Sequence, residues 1–160
     1  MKPIVLFSTI GGNTEKVASE IASELDCRCV KIAEGFDSSA LDLNDFDMVF
    51  VGTGYYWGNP NAALLKYLKE MNLKDSRKFA LFMTRFGRGK SEDVFNKIKM
   101  AVEAKGQIML DNFYECLGEG RTSFWSGMGR LIGHDARGHP NAEELSSTRK
   151  WAKELVSLKT

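Results

Sequence analysis

Little in this chain of 160 residues is extreme, and the scarcities narrow its class. Three prolines and three cysteines exclude a proline-rich linker and a disulfide-stapled scaffold. Cys27, Cys29 and Cys116 form neither a CxxC motif nor a Cys/His zinc pattern, so they are read as buried or idle thiols in a reducing compartment. Lys and Arg total 22 against 21 Asp and Glu, a net charge of +1, which gives no electrostatic footprint for nucleic acid or an anionic membrane surface. No apolar run approaches the roughly 18 residues of a membrane span, and no leader-like segment follows Met1. A cytoplasmic protein without a membrane span, monomeric or weakly dimeric, is the expectation.

With 43% hydrophobic and 27% charged residues, the composition is that of an ordinary folded domain, and the length fits one domain over 1–160. Apolar runs alternate with helical stripes. Ile4–Phe7, Cys27–Ile32, Met48–Val51, Phe79–Met83 and Gln107–Leu110 read as strands, the last able to continue through Phe113 to Cys116. Val17, Ala18, Ile21 and Ala22 recur at helical spacing, as do Leu64, Leu65, Leu68 and Met71, then Val94, Phe95, Ile98 and Val102, and finally Trp151, Ala152 and Leu155. Glu34–Asp45 reads as a polar connection. Continuous apolar strands between helices predict an α/β three-layer sandwich, a five-stranded parallel sheet covered on both faces. One glycine-rich insertion, at about 117–140, precedes the last helix and is long enough to be functional or mobile.

In such sheets a ligand sits beyond the carboxyl ends of the strands, at the topological switch point. After strand one, Ser8-Thr9-Ile10-Gly11-Gly12-Asn13-Thr14 leads directly into a helix. Free N–H groups and the helix dipole there make an anion site. The loop has no Walker lysine and no GxGxxG spacing, and an uncharged cradle suits a terminal phosphate monoester. Helix capping by Asn13 or Thr14 is the simpler alternative. After strand three, Thr53-Gly54-Tyr55-Tyr56-Trp57-Gly58-Asn59 places three aromatics in a glycine-bounded loop, suited to a flat aromatic ligand or to a protein interface. After strand four, Thr84-Arg85-Phe86-Gly87-Arg88-Gly89 is again glycine-rich with one aromatic, functional or an ordinary mobile turn. His134 and His139 read as satisfied or solvated, and Glu143-Glu144 as first-turn residues of the last helix.

Together the three loops resemble the flavodoxin family. Val5-Leu6-Phe7-Ser8-Thr9 followed by Gly12, Thr14, Ala18 and Ile21 matches the family's N-terminal signature, and Trp57-Gly58-Asn59 is similar to its Trp-Gly-Asp turn. Gly138–Asn141 resembles a junction common before the last helix of such proteins. The resemblance implies strand order 2-1-3-4-5 and FMN as cofactor. Its phosphate would be held by Thr9, Ile10, Gly11, Asn13 and Thr14, and its ring would lie between the Trp57 and Phe86 loops. It further implies a Gly58 carbonyl able to turn towards flavin N5, and single-electron shuttling between redox protein partners through oxidised, semiquinone and hydroquinone states. Asn59 stands where the family has an acidic residue, and Arg85 and Arg88 would bring positive charge to the ring edge. The alternative is an FMN-dependent NAD(P)H reductase of quinones or iron, with Arg85, Arg88 or Arg121 taking a nicotinamide phosphate. A flavin-free interaction module is the non-redox reading.

Overall fold

The computed structural model describes residues 1–86, 89–119 and 136–158. Strands β1 (Pro3–Phe7), β2 (Arg28–Lys31), β3 (Met48–Gly54), β4 (Lys78–Arg85), β5 (Ile108–Met109) and β6 (Tyr114–Leu117) alternate with helices α1 (Asn13–Leu25), α2 (Ala62–Glu70), α3 (Ser91–Glu103) and α4 (Ala142–Ser157). The sheet runs β2-β1-β3-β4-β5, parallel throughout, with β6 also paired to β4. The switch point falls between β1 and β3, where the order reverses.

Alternation of side chains across the sheet sorts the core into two layers. Ile4, Leu6, Val49, Val51, Leu81 and Met83 face α2 and α3. Val5, Phe7, Phe50 and Phe82 face α1 and α4, where Trp151 meets the Phe50 ring edge-on. Arg149 and Lys153 of α4 pair with Glu20 and Glu24 of α1 across the outside of that layer. Both faces of β3 are buried, which is why its sequence is apolar without alternation.

The structure corrects three expectations. The fifth strand is two short segments: β5 pairs with Lys78 and Phe79, β6 with Phe82 to Arg85, and Leu110–Phe113 interrupts them along a single β4 edge. Thr53, Gly54, Thr84 and Arg85, read as loop residues, are the last residues of β3 and β4, since the ladder continues as far as Gly54 opposite Thr84. The Glu34–Asp45 connection is not merely polar. It contains two 3-10 turns, capped by the Asp37 and Asp42 carboxylates, that press Leu41 and Leu43 onto the core. Of the glycine-rich insertion, Leu117 belongs to β6 and residues 120–135 lie outside the described residues, together with Gly87, Arg88, Arg121 and His134. Among the described residues no helix is long and apolar enough to cross a membrane.

Candidate functional site

The β1–α1 junction is built for exposed backbone donors. Gly12 is the N-cap of α1 at φ +88°, a left-handed conformation that a residue with a Cβ adopts only under strain, and a Cβ built there would meet nothing within 4 Å. The first intrahelical bond runs from the Lys16 N–H to the Gly12 carbonyl at 3.2 Å. The N–H groups of Asn13, Thr14 and Glu15 therefore have no acceptor within the helix. Among the described residues no side chain caps them, which removes capping by Asn13 or Thr14 as the account of these residues. The Asn13 amide instead donates to the Glu119 carbonyl at 2.7 Å, and the buried Thr14 hydroxyl lies 2.9 Å from the Thr84 hydroxyl. An acceptor at this helix end would thus meet main-chain donors rather than the Asn13 or Thr14 side chains.

Inside the loop, the Gly12 N–H donates to the Thr9 hydroxyl oxygen at 2.9 Å and the Ile10 N–H to the Tyr56 hydroxyl oxygen at 3.3 Å. Both amides are thus already partnered, through hydroxyls that can also donate. Ser8 continues β1, its N–H donating to the Gly52 carbonyl, and Gly11 is exposed at the loop tip.

The three aromatics after β3 part company. The Tyr55 ring packs against the α2/α3 core and crosses Gly89, where a Cβ would overlap its hydroxyl. The Tyr56 ring lies over Gly54 and reaches back to the β1–α1 loop. Trp57 alone projects outward, with 90% of its surface exposed. It heads a tight turn in which Tyr56 and Asn59 exchange N–H to carbonyl bonds of 2.9 and 3.0 Å. Trp57 and Gly58 have φ of +53° and +77°, the two positive values that a type I′ turn requires. A left-handed tryptophan costs roughly 1–2 kcal/mol. Such strain combined with exposure is unexpected in a residue whose only duty is stability. The turn rests on α3: the Lys97 ammonium donates to the Gly58 carbonyl at 2.7 Å and to Asn59 Oδ1 at 2.8 Å. The carbonyl expected to turn towards a flavin is held by the Lys97 ammonium of α3.

Arg85 is engaged within the protein. Its guanidinium donates to the Gly89 carbonyl at 2.8 Å and to Ser91 Oγ at 3.3 Å, and pairs with Glu115 at 3.7 Å, so it braces the start of α3. Thr53 is likewise engaged, donating to the Gly54 carbonyl at 3.0 Å and accepting from the Asn61 N–H at 2.8 Å, just ahead of α2. Phe86 follows β4 half-buried, and Gly87 lies outside the described residues.

Gly118, and Glu144 beyond its expected place in the first turn of the last helix, belong to the site's frame. Gly118 lets the end of β6 pass over α1, since a Cβ there would sit 2.7 Å from the Asn13 amide nitrogen. Glu144 gathers the strap between β6 and α4. Its carboxylate accepts from the Leu117 and Asn141 N–H groups at 3.1 and 2.8 Å and lies 2.6 Å from His139 Nδ1. Gly118 carries no local sequence signal for this work, because Asn13 lies 105 positions away, whereas the Asn141–Glu144 spacing is that of a capping box. A cavity of about 730 Å³ opens beside these loops, lined by Ser8, Thr9, Ile10 and Tyr56 and by the ends of β2 and α2. Trp57 and Phe86 do not line it. The thiols are protonated at neutral pH: desolvation raises Cys27 and Cys29 to about 11 and the buried Cys116 to about 12.

With this geometry established, comparison with known proteins is decisive about family. The sequence matches the flavodoxin domain profile over residues 4–153. The protein belongs to the flavodoxin domain family. Its flavodoxin domain is 27% identical to an uncharacterized protein of Methanocaldococcus jannaschii, over 98% of this chain and 99% of that one. It is 23% identical to the flavodoxin-like domain-containing protein BilS of Clostridioides difficile, over 98% and 97%. In fold it is similar to oxidised flavodoxin 1 of Bacillus cereus, with a TM-score of 0.69 at 13% identity and full coverage of both chains. A flavoprotein of Lactobacillus acidophilus, solved in complex with FMN, superposes with a TM-score of 0.58 at 19% identity, covering 71% of this chain and 92% of that one.

Proposed function

We propose that this flavodoxin domain binds FMN and passes single electrons between protein redox partners. The observation that carries the reading is one juxtaposition. An uncapped helix N-terminus with outward N–H groups lies beside a strained, exposed tryptophan, and the Tyr56 hydroxyl joins the two loops. The residues fit the cofactor's two ends. The donors ahead of the Lys16–Gly12 bond, with the helix dipole, suit a dianionic phosphate monoester. Trp57 offers a flat face, and the rim residue Ile10, 53% exposed, offers apolar surface next to the loop. The Lactobacillus acidophilus flavoprotein, bound to FMN on this fold, supports the same assignment.

FMN supplies one- and two-electron redox chemistry when bound, and the chain's task is to hold and tune it. The Asn13, Thr14 and Glu15 amides would anchor the anion without a lysine. Gly12 lets the loop approach closely because no Cβ intervenes. Thr14 and Thr84 tie the loop to the end of β4, so that the anchor cannot drift from the sheet. Trp57, exposed and flat, would offer its face to the ring. A net charge of +1 offers no broad acidic face, so partner choice rests on the apolar rim of Ile10 and Trp57.

A reductase that takes electrons directly from NAD(P)H is the second reading, and the 730 Å³ cavity beside Tyr56 is the feature that favours it, being large enough for a second small molecule. Two measurements separate them. Calorimetric titration of apoprotein with FMN and with riboflavin should show binding that depends on the phosphate. No heat with FMN on a folded chain refutes the flavin assignment. Sustained NADPH oxidation by the FMN-loaded protein alone, with quinone or ferric iron as acceptor, would replace the carrier with the reductase.

A further inference from the structure

Lys97 is the one α3 residue whose side chain bonds to the turn after β3, by both the Gly58 carbonyl and the Asn59 side chain. The geometry points to Lys97 as the positioning residue for Trp57: its ammonium clamps the 57–59 turn onto α3 and so fixes the angle at which the tryptophan face is offered to a planar ligand. The inference rests on reading this site as a flavin site, but its structural half stands apart from that reading.

Left to itself, the turn has little to hold it. Its own bonds are the two between Tyr56 and Asn59, it carries one residue in the left-handed region at a cost, and Trp57 buries almost nothing that could anchor it. The Asn59 amide also donates to the Trp57 carbonyl at 3.3 Å, a bond closed within the turn. The Tyr56 hydroxyl holds the start of the turn through Ile10, and the lysine ties its far end, Gly58 and Asn59, to α3 and so fixes its tilt. A charged donor serving two acceptors makes stronger hydrogen bonds than neutral ones would, and Lys97 projects from a helix packed firmly in the core through Val94, Ile98 and Val102. The clamp also locks the Gly58–Asn59 peptide. Turning its carbonyl away from α3 would break the Lys97 bond and the bond from the Asn59 N–H to the Tyr56 carbonyl together. Trp57 is thereby presented before any ligand arrives, which spares the ordering cost at binding.

The experiment compares wild type with Lys97→Met, which keeps the aliphatic stem, and Lys97→Arg, which keeps the charge. In the apoprotein, ¹⁵N relaxation of the Trp57 indole and of the Gly58 and Asn59 amides should show fast mobility appearing in Lys97→Met and largely suppressed in Lys97→Arg, with the thermal midpoint unchanged. With FMN and with riboflavin, Lys97→Met should weaken both about threefold and reduce the quenching of flavin fluorescence, because the stacking face and not the phosphate anchor is affected. Unchanged turn dynamics in Lys97→Met overturns the clamp, whether or not FMN binds. A mobile turn with unchanged flavin affinity and quenching overturns its role towards the ligand. Failure of the wild type to bind FMN refutes the flavin site, and the relaxation data alone then decide the clamp.

Discussion

The hydroxyl oxygens of Thr14 and Thr84 lie 2.9 Å apart, joining the first turn of α1 to the end of β4 across 70 residues of sequence. Both side chains are buried, Thr14 at 1% exposure and Thr84 at 5%. Each hydroxyl is the other's partner, and the pair locks the β1–α1 loop to the sheet on the side where a ligand would lie. Replacing either residue with valine preserves shape but strands a buried hydroxyl, which costs about 1–3 kcal/mol. Thr14→Val with Thr84→Val should cost less than the sum of the two, because no orphan remains. Urea denaturation of the four proteins closes the cycle, and strict additivity would show that the two hydroxyls do not interact.

Trp57 is exposed and strained, so its removal should leave stability alone and damage binding. Trp57→Ala is expected to move the urea midpoint by less than about 0.5 kcal/mol equivalent, as for other exposed positions. FMN affinity should fall about three- to tenfold, the worth of one aromatic stacking contact. Titration by flavin fluorescence quenching reads the second effect. A variant that loses stability but keeps its affinity would mean that the tryptophan serves the fold.

Gly118 tests the phosphate end independently. Gly118→Ala places a methyl 2.7 Å from Asn13 Nδ2 and forces the amide off the Glu119 carbonyl. The start of α1 must shift. FMN affinity should drop about tenfold, equivalent to one lost hydrogen bond, while riboflavin affinity should change far less. Calorimetry with both ligands distinguishes this outcome from general loosening, which would weaken the two alike.

Alkaline pH should weaken the fold through its thiols. Burial raises Cys116 to about 12, well above the ordinary thiol range. The native state therefore holds its proton where the unfolded chain has released it. The stability this group contributes is complete below about pH 9 and is lost progressively as the pH rises towards about 12. Urea midpoints measured from pH 8 to 11 should decline, and Cys116→Ala, though destabilised throughout by the lost side chain, should decline less steeply. Equal slopes would remove Cys116 from the effect. At pH 8 the exposed Cys29, raised to about 11, should alkylate more slowly than a free thiol.

The elements of this fold were legible because their causes are local. Ile4–Phe7 and Met48–Val51 are continuous apolar runs, and the Val17-Ala18-Ile21-Ala22 spacing can bury only as a helix. The break between β5 and β6 was not legible: Phe113 is apolar enough to continue a strand, and only the pairing along β4 shows where the ladder lapses. Leu41 and Leu43 sit among aspartates and serines and read as loop until the core is seen beneath them.

At the site, chain composition identified which loops to examine, since glycines, hydroxyls and aromatics are informative wherever they stand beyond a strand. What it could not assign was direction. Tyr55, Tyr56 and Trp57 are three similar neighbours in sequence, yet one packs on the core, one reaches Ile10 and one faces outward. The aims of Arg85 and Lys97 were out of reach for the same reason: the arginine closes on Gly89 and Glu115, and the lysine reaches the turn from a helix begun 32 residues later. Periodicity and turn chemistry act over a few residues and so are written in the chain itself. The aim of a side chain depends on which distant atoms the packed layers bring within 3 Å of it, and only the tertiary structure decides that.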